Sequence, residues 1–355
     1  MPRVLTYILL LATATALISL TLHTKTPTPY TLTYPRYFGN RTNLSDDNPL
    51  TVEGIRLGRR LFYETRLSKN NTLSCASCHQ QSHAFTDPRR FSLGFDGTPT
   101  KRNSMTLTNI LWVQNFFWDG RATSLEAQAL TPLTDPHEMG QPLEQSAQKI
   151  PEYASLFEAA FDSPDITPDR ILKALTQFER TLISSNSRYD QYIRGEAALT
   201  PEEQRGLTLF FGSATNIPPP ATRIRSAGCG NCHGGPRTFN ETYHNNGLDA
   251  EPKDSGRAAI THMSYDRGRF RVVTLRNIAL TAPYMHDGRF NTLEEVIDHY
   301  SDHLQPSATL SPTLRDTTNT PISLHLTPQE KADLLAFLNT LTDSTFITDP
   351  RFSAP

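Results

Sequence analysis

The sequence predicts a mainly α-helical fold built from two tandem modules that repeat one another. Three observations lead to this prediction. A C-x-x-C-H motif occurs twice, at 75–79 and at 229–233, and a longer ungapped repeat follows each copy. Helix-start signals are frequent, whereas alternating strand patterns are few.

Each C-x-x-C-H motif is the attachment signal for a c-type haem. Two thiols at this spacing can bond to the two vinyl groups of one porphyrin, and the adjacent histidine can bind the iron. The residues concerned are Cys75, Cys78, His79, Cys229, Cys232 and His233. A redox dithiol, a zinc site or a structural disulfide would also use such a pair. Because two complete motifs consume every cysteine in the chain, we expect two covalent haems in cytochrome c-like modules with long haem-wrapping loops.

The composition fits a loop-rich haem protein. Only 37% of the residues are apolar and 26 are prolines, which suits a chain whose porphyrins supply apolar surface to the core. The 34 basic and 36 acidic residues nearly balance, so nothing indicates a nucleic-acid partner.

The first 23 residues are predicted to be a signal peptide or an N-terminal anchor. Arg3 precedes an apolar run over 4–22, which is also just long enough to remain in a membrane. Both alternatives export the rest of the chain, so a periplasmic location is expected, with a membrane anchor if the segment is retained. Residues 24–48, rich in Thr, Pro and Tyr, are predicted to be a linker.

The internal repeat defines the two modules. The matched segments are 106–110 with 274–278, 118–121 with 286–289, and 124–126 with 292–294. Every matched pair is 168 positions apart, without a gap. We therefore predict an N-terminal module over 49–186 and a C-terminal module over 187–345, related by a pseudo-twofold repeat.

Capping signals predict where the helices begin. A threonine followed three residues later by glutamate forms a capping box at Thr200, Thr292 and Thr327. A helix over 52–63 leads into the first motif, and another follows Thr167.

Four segments resemble the bacterial dihaem cytochrome c peroxidases and their MauG relatives. They are 75–79, 117–122, 135–139 and 281–288, and the resemblance runs from about residue 49 to 343. It implies an oxidoreductase of the cytochrome c peroxidase type. The N-terminal haem would reduce hydrogen peroxide to water, with electrons relayed by the C-terminal haem from a small donor such as a c-type cytochrome.

Two other functions are open. A MauG-like enzyme would store two oxidising equivalents across the haems and oxidise side chains of a partner protein. A dihaem electron carrier would not react with peroxide, but carriers normally have both axial positions of the iron filled.

The resemblance also assigns catalytic residues. Trp118 matches the family tryptophan between the haems, where an indole can shorten the electron-tunnelling gap. Glu138 matches the distal acid, which can take and return the protons of peroxide cleavage. Gln128 is in register with the same family pattern. His83 sits only four residues past His79, too close to fold round to the opposite haem face, so the first haem is expected to be open to peroxide.

Two further metal ligand sets come from the resemblance. Asn103, with the carbonyls of Thr281 and Pro283, matches a Ca²⁺ site between the modules, which suits a hard cation bound by oxygen. Tyr300 lies fourteen positions after His286, where peroxidases have methionine and the MauG group has tyrosine. We therefore expect His233 and Tyr300 to bind the second iron, with Met285 as the alternative to Tyr300.

Overall fold

The computed structural model describes residues 26–212 and 226–355, and within them the chain is mainly helical, as predicted. Its helices are α1 (Val52–Phe62), α2 (Leu125–Thr134), α3 (Leu143–Gln148), α4 (Ala154–Phe161), α5 (Pro168–Glu179), α6 (Arg188–Ile193), α7 (Pro201–Phe211), α8 (Ala258–Thr261), α9 (Leu293–Asp302), α10 (Pro328–Asn339) and α11 (Ser344–Thr348). The only strands among the described residues are β1 (Tyr243–His244) and β2 (Phe270–Arg271), which pair antiparallel.

The long helices begin where the capping signals predict. Thr51, Thr167, Thr200, Thr292 and Thr327 each accept a hydrogen bond through the side chain from the backbone N–H three residues on. This bond satisfies one of the N–H groups that a helix start leaves without a partner, so the sequence fixes these boundaries locally.

Each module is built on one pair of closely packed helices. Helix α1 packs on α5, and α7 packs on α10. A glycine allows each close approach: a Cβ added at Gly58 would lie 1.9 Å from the Ala174 carbonyl oxygen, and one added at Gly206 would lie 1.9 Å from the Asp333 carbonyl oxygen. The two helix pairs therefore meet through equivalent backbone contacts.

The repeat detected in the sequence is also a repeat in three dimensions. Phe116 pairs with Ala122, and Tyr284 pairs with Phe290 in the second copy. A short 3₁₀ helix precedes each pair, over Ile110–Trp112 and Ile278–Leu280.

Reciprocal hydrogen bonds join the two modules. The backbone N–H of Asn103 donates to the carbonyl of His286 (2.8 Å), and that of Arg271 donates to the carbonyl of Trp118 (2.7 Å). Residues 103 and 271, and residues 118 and 286, are each 168 positions apart. Equivalent residues exchange equivalent bonds, which is the signature of a pseudo-twofold axis.

The expected linker is a packed part of the N-terminal module where it is described, from residue 26 onward. Phe38 is buried and its ring lies 5.2 Å from that of Trp112, centroid to centroid, in an edge-on contact. The Asn43 side chain donates to the carbonyls of Ile110 and Val113. Aromatic burial and paired polar groups hold this stretch in place, which composition alone did not reveal. The predicted signal or anchor at 1–23 lies outside the described residues.

The C-terminal end returns to the N-terminal module. Phe346 and Phe352 are buried in its core, and Phe346 lies against Phe85. Asp343, just before α11, accepts backbone hydrogen bonds from Ser185 and Asn186 at the predicted module boundary. No helix among the described residues has the length and apolar content needed to cross a bilayer.

Candidate haem sites and the cavity between the modules

The first C-x-x-C-H motif forms a single 3₁₀ turn that presents its histidine. The backbone N–H of His79 donates to the carbonyl of Cys75 (2.9 Å), which closes the turn. Nδ1 of His79 lies 2.9 Å from the carbonyl oxygen of Phe85. A carbonyl can only accept, so Nδ1 carries the proton and Nε2 keeps its lone pair for a metal. Burial lowers the pKa of His79, which favours the neutral, ligating form.

The second motif has the same arrangement. The backbone N–H of His233 donates to the carbonyl of Cys229 (2.9 Å), and Nδ1 lies 3.2 Å and 3.1 Å from the carbonyls of Thr238 and Val273. Burial lowers the pKa of His233 to about 4, so the imidazole stays neutral. Both histidines thus present Nε2 as the free ligand.

These surroundings fit haem better than the alternatives. All four thiols are free, so neither motif forms a disulfide. In 26–212 and 226–355 no group of three His, Cys, Asp or Glu side chains is arranged to hold a metal ion. The residues that would hold the two porphyrins are the motif cysteines through thioethers and His79 and His233 through Nε2.

A cavity of about 290 Å³ opens beside the second motif and extends to the other module. Its walls are largely apolar, and they include His233 at one side and Trp118, Met105 and Thr86 at the other. Thr86 directly follows Phe85, whose carbonyl binds Nδ1 of His79. The cavity therefore reaches from the second haem site to the segment that supports the first ligand histidine.

Trp118 lies where the two modules meet. Its indole Nε1 donates to the Asn103 carbonyl (2.8 Å) on its own module. Its ring lies 6.5 Å from the rings of Phe270 and His286, centroid to centroid, on the other module. This position suits the bridging role that the resemblance implies, and the role itself stays a prediction.

Both candidate ligands for the second iron line this cavity. Asn246 joins them: its Nδ2 lies 3.2 Å from the Tyr300 hydroxyl and 3.3 Å from the Met285 sulfur. Burial raises the pKa of Tyr300 to about 12, the Asn246 hydrogen bond opposes the rise, and the nearby Cys232 and Cys229 thiols add to it. The α9 face that carries Tyr300 is thus turned toward the haem attachment residues.

The neighbouring histidines have other partners. Nε2 of His299 lies 2.9 Å from the Asn246 carbonyl oxygen. The His286 ring stacks on Phe270 at 3.8 Å.

Glu138 lies in the turn that follows α2. Its turn is held by hydrogen bonds from the Phe95 N–H to the Glu138 carbonyl and from the Met139 N–H to the Pro132 carbonyl of α2. Burial raises the pKa of Glu138, Asp135 adds to the rise, and Arg121 opposes it. A raised pKa makes a carboxyl a better acceptor of a proton that it later returns.

Burial raises the pKa of the Cys78 thiol; the Ser92 hydrogen bond and Arg89 oppose the rise, and the Asp87 and Glu138 carboxylates add to it. Gln128 lies on α2, one turn before Pro132, and is half-buried. Catalytic roles for Glu138 and Gln128 stay predictions.

The proposed Ca²⁺ ligands lie along one wall of the cavity. Asn103, Thr281 and Pro283 all line it. The Asn103 amide nitrogen lies 3.3 Å and 3.2 Å from the carbonyls of Arg89 and Arg90, which orients the amide. Calcium at this place stays a prediction.

His83 stays close to its own turn. Its Nδ1 lies 3.1 Å from the Ser82 hydroxyl, and the ring is not part of the cavity wall. An open first haem remains the expectation.

Two residues of this region escaped the sequence analysis. Asn246 connects both candidate ligands, and Glu179 is buried near Cys75 with its Oε2 lacking any hydrogen-bond partner. Asn246 belongs to no motif or helical pattern, and Glu179 ends a predicted helix in which nothing marks its carboxyl as special. Only the folded chain brings them to the haem sites.

Two repeated helical modules, each with a C-x-x-C-H turn and a neutral ligand histidine, define a dihaem c-type cytochrome enzyme. A family model, "Di-haem cytochrome c peroxidase", matches residues 52–198. The chain is 36% identical to the methylamine utilization protein MauG of Methylorubrum extorquens, over 83% of this chain and 79% of that protein. It is 36% identical to the cytochrome c551 peroxidase of Nitrosomonas europaea, over 70% of this chain and 73% of that protein. The chain therefore belongs to the dihaem cytochrome c peroxidase and MauG family.

Solved structures confirm the fold. A MauG-like protein associated with microbial copper homeostasis superposes with a TM-score of 0.82 at 40% identity, covering 92% of this chain and 99% of that one. The dihaem peroxidase BthA of Burkholderia thailandensis has a TM-score of 0.69 at 24% identity, covering 87% and 91%. The chain is thus an oxidoreductase that acts on peroxide and carries two c-type haems.

Proposed function

We propose that this enzyme uses peroxide to oxidise side chains of a partner protein. The observation that carries the proposal is Tyr300 in the second haem cavity, beside the attachment cysteines and hydrogen-bonded by Asn246. The bound haems supply the iron chemistry that cleaves peroxide and holds oxidising equivalents. The residues of the chain place the proton donor, the ligands and the path between the two sites.

Glu138 and Trp118 have different roles in this proposal, proton transfer and electron transfer. Glu138, whose pKa is raised by burial, would take a proton from peroxide and return it to the leaving oxygen. Trp118, held by Asn103 and packed near Phe270 and His286, gives electrons a route between the modules.

The identity of the second iron ligand, Tyr300 or Met285, distinguishes the MauG-like function from the peroxidase function. A phenolate oxygen stabilises ferric iron and lowers its potential, whereas a thioether raises it. Ligation by His233 and Tyr300 would therefore favour storing oxidising equivalents, and ligation by Met285 would favour accepting electrons from a donor protein. The chain is 36% identical both to MauG and to the cytochrome c551 peroxidase, so the choice of the first branch rests on Tyr300.

The test is Tyr300→Phe in the holoenzyme, with Met285→Leu as the matched control because both side chains contact Asn246. If Tyr300 is the ligand, its replacement changes the low-spin ferric EPR signal and raises the potential of the second haem. Met285→Leu should then leave both nearly unchanged. The reverse pattern would assign Met285 and refute the proposal.

Peroxide reduction with electrons from a small c-type cytochrome is the second candidate. The identity to the cytochrome c551 peroxidase supports it. Steady-state assays with peroxide and a reduced cytochrome separate the two: rapid turnover with this donor alone would favour the peroxidase reading.

Location and calcium complete the proposal. A periplasmic site of action follows from haem attachment and the apolar run near the N-terminus. Ca²⁺ at Asn103 and the carbonyls of Thr281 and Pro283 would tie the modules together.

A further inference from the structure

Asn246 contacts both candidate ligands of the second iron through one amide group. Its Nδ2 lies 3.2 Å from the Tyr300 hydroxyl oxygen and 3.3 Å from the Met285 sulfur. A thioether sulfur has no hydrogen to donate, so the group that faces it must be the NH2 of the amide. Within 26–212 and 226–355, Asn246 is the one hydrogen-bond partner of the Tyr300 hydroxyl. The tyrosine oxygen therefore meets a donor inside the cavity of the second haem site.

The backbone around Asn246 is tied to the helix that carries Tyr300. Nε2 of His299, the residue before Tyr300 on α9, lies 2.9 Å from the Asn246 carbonyl oxygen. Because a carbonyl can only accept, Nε2 donates this bond. Gln305, just beyond α9, donates its N–H to the carbonyl of Gly247 (2.8 Å). The segment that carries Asn246 is thus bound to both the helix and the chain that leaves it.

The neighbouring Asn245 fixes the same segment from its other side. Asn245 is 2% exposed, and its Nδ2 donates to the hydroxyls of Ser307 (3.1 Å) and Thr309 (2.8 Å). Its carbonyl accepts a hydrogen bond from the Ser311 N–H (3.0 Å). A buried polar network whose members are paired is rigid, so the Asn246 amide is held in its orientation before any ligand binds.

The first module has no counterpart of either candidate ligand. Helices α2 and α9 begin 168 positions apart and end 168 positions apart, so Tyr300 corresponds to Pro132 and Met285 corresponds to Phe117. Neither proline nor phenylalanine offers a side-chain atom that binds iron. An effect of Asn246 should therefore appear in the second haem and not in the first.

We propose that Asn246 is a positioning residue that donates a hydrogen bond to the Tyr300 oxygen when this oxygen binds the second iron. This inference rests on the proposed function, in which Tyr300 is that ligand. A hydrogen bond to an ionised oxygen is roughly twice as strong as one between neutral groups, whereas a thioether sulfur is a weak acceptor. The amide therefore favours the tyrosine oxygen over the sulfur of Met285.

The same hydrogen bond tunes the second haem. It draws electron density away from the Tyr300 oxygen, which weakens the donation of that oxygen to ferric iron. Weaker donation stabilises the ferric state less, so the bond from Asn246 raises the potential of the second haem above the value that an unsupported phenolate would give.

The test compares two variants of Asn246 in the holoprotein. Asn246→Leu removes the amide with a side chain of similar size, and Asn246→Asp places a carboxylate, which cannot donate, in nearly the same shape. The matched control is Asn291→Leu, an exposed asparagine just before the N-cap of α9. The readouts are the midpoint potential of the second haem and the g values of its low-spin ferric EPR signal, both measured without peroxide.

We expect both Asn246 variants to lower the midpoint potential of the second haem and to shift the g values, because the phenolate then donates more strongly to ferric iron. The first haem, and both haems of the Asn291→Leu control, should keep their wild-type values. In a Tyr300→Phe background, Asn246→Leu should cause no further shift, because the group through which it acts is gone. In a Met285→Leu background the shift should persist.

The positioning role is overturned if Tyr300→Phe changes the EPR signal and neither Asn246 variant does. It is also overturned if Asn246→Leu causes the same shift with and without Tyr300, since Asn246 would then act through another group. If Tyr300→Phe alone moves neither readout, the ligand assignment fails, and the proposed function fails with it. Haem content and far-UV circular dichroism equal to the wild type show that a variant is folded, and Asn246→Asp carries the test if Asn246→Leu loses haem.

Discussion

Glu179 gives a stability prediction whose size and sign follow from its surroundings. It ends α5, is 5% exposed, and its Oε2 has no hydrogen-bond partner. Burial raises its pKa from 4.5 to about 8; Arg180 opposes the rise and Glu126 adds to it. The folded protein therefore keeps this carboxyl protonated at pH 7, whereas the unfolded chain ionises it.

Proton linkage turns this difference into a pH-dependent stability. Between about pH 4.5 and 8 the folded state binds one proton more than the unfolded state, so stability falls as pH rises through this window and levels off above it. A pH of 7 lies about 2.5 units above the ordinary glutamate pKa of 4.5. At 1.36 kcal/mol per unit, burying Glu179 therefore lowers the free energy of unfolding by about 3 kcal/mol at pH 7 relative to pH 4.5.

Glu179→Gln removes the titration and keeps the shape of a protonated carboxyl. We expect it to stabilise the holoprotein by about 3 kcal/mol at pH 7, and by almost nothing near pH 4.5. The measurement is the urea midpoint of wild type and variant at pH 4.5, 6 and 8, with Glu158→Gln as an exposed control on α4.

A pH-independent difference would contradict this reasoning. So would a variant less stable than the wild type at every pH. Either result would mean that Glu179 is ionised and paired in the holoprotein, near the cysteine that anchors the first haem.

Three further predictions address the site and the helix packing. Glu138→Gln should preserve both haem spectra and slow peroxide turnover about 10²-fold or more, measured at steady state; unchanged turnover would make Glu138 structural. Trp118→Phe should leave peroxide binding intact and slow electron transfer between the haems, followed by stopped-flow absorbance; an unchanged rate would exclude the tunnelling role. Gly206→Ala should lower the free energy of unfolding by about 1–3 kcal/mol in urea titrations, because its Cβ meets the Asp333 carbonyl; a variant as stable as the wild type would show that α7 and α10 can separate.

The sequence predicted what depends on short-range signals. The haem motifs and the helix starts depend on spacings of a few residues, and the repeat is an ungapped match of short segments at 168 positions. The capping boxes at Thr200, Thr292 and Thr327 form as expected. Tyr300, which the resemblance singled out fourteen positions after His286, lines the cavity.

What the sequence did not reveal depends on contacts across long separations. Asn246 reaches Tyr300 from 54 positions away, and the Phe38 ring meets Trp112 from outside the predicted module. No periodic pattern encodes such contacts, because they exist only once two modules and their loops have packed. The polar link between the candidate ligands therefore had to come from the structure.

The repeat places different side chains at equivalent positions of the two modules. Trp118 and His286 are equivalent positions, and they face each other because both lie at the pseudo-twofold axis. Near such an axis a residue meets its own copy, so a substitution in one module changes the contact of both. The side chains at this junction differ, because Trp118 carries an indole and His286 an imidazole. The backbone around them is symmetric, because Asn103 and Arg271 donate reciprocal hydrogen bonds across it. The backbone thus fixes the junction between the modules, whereas the side chains at equivalent positions can differ.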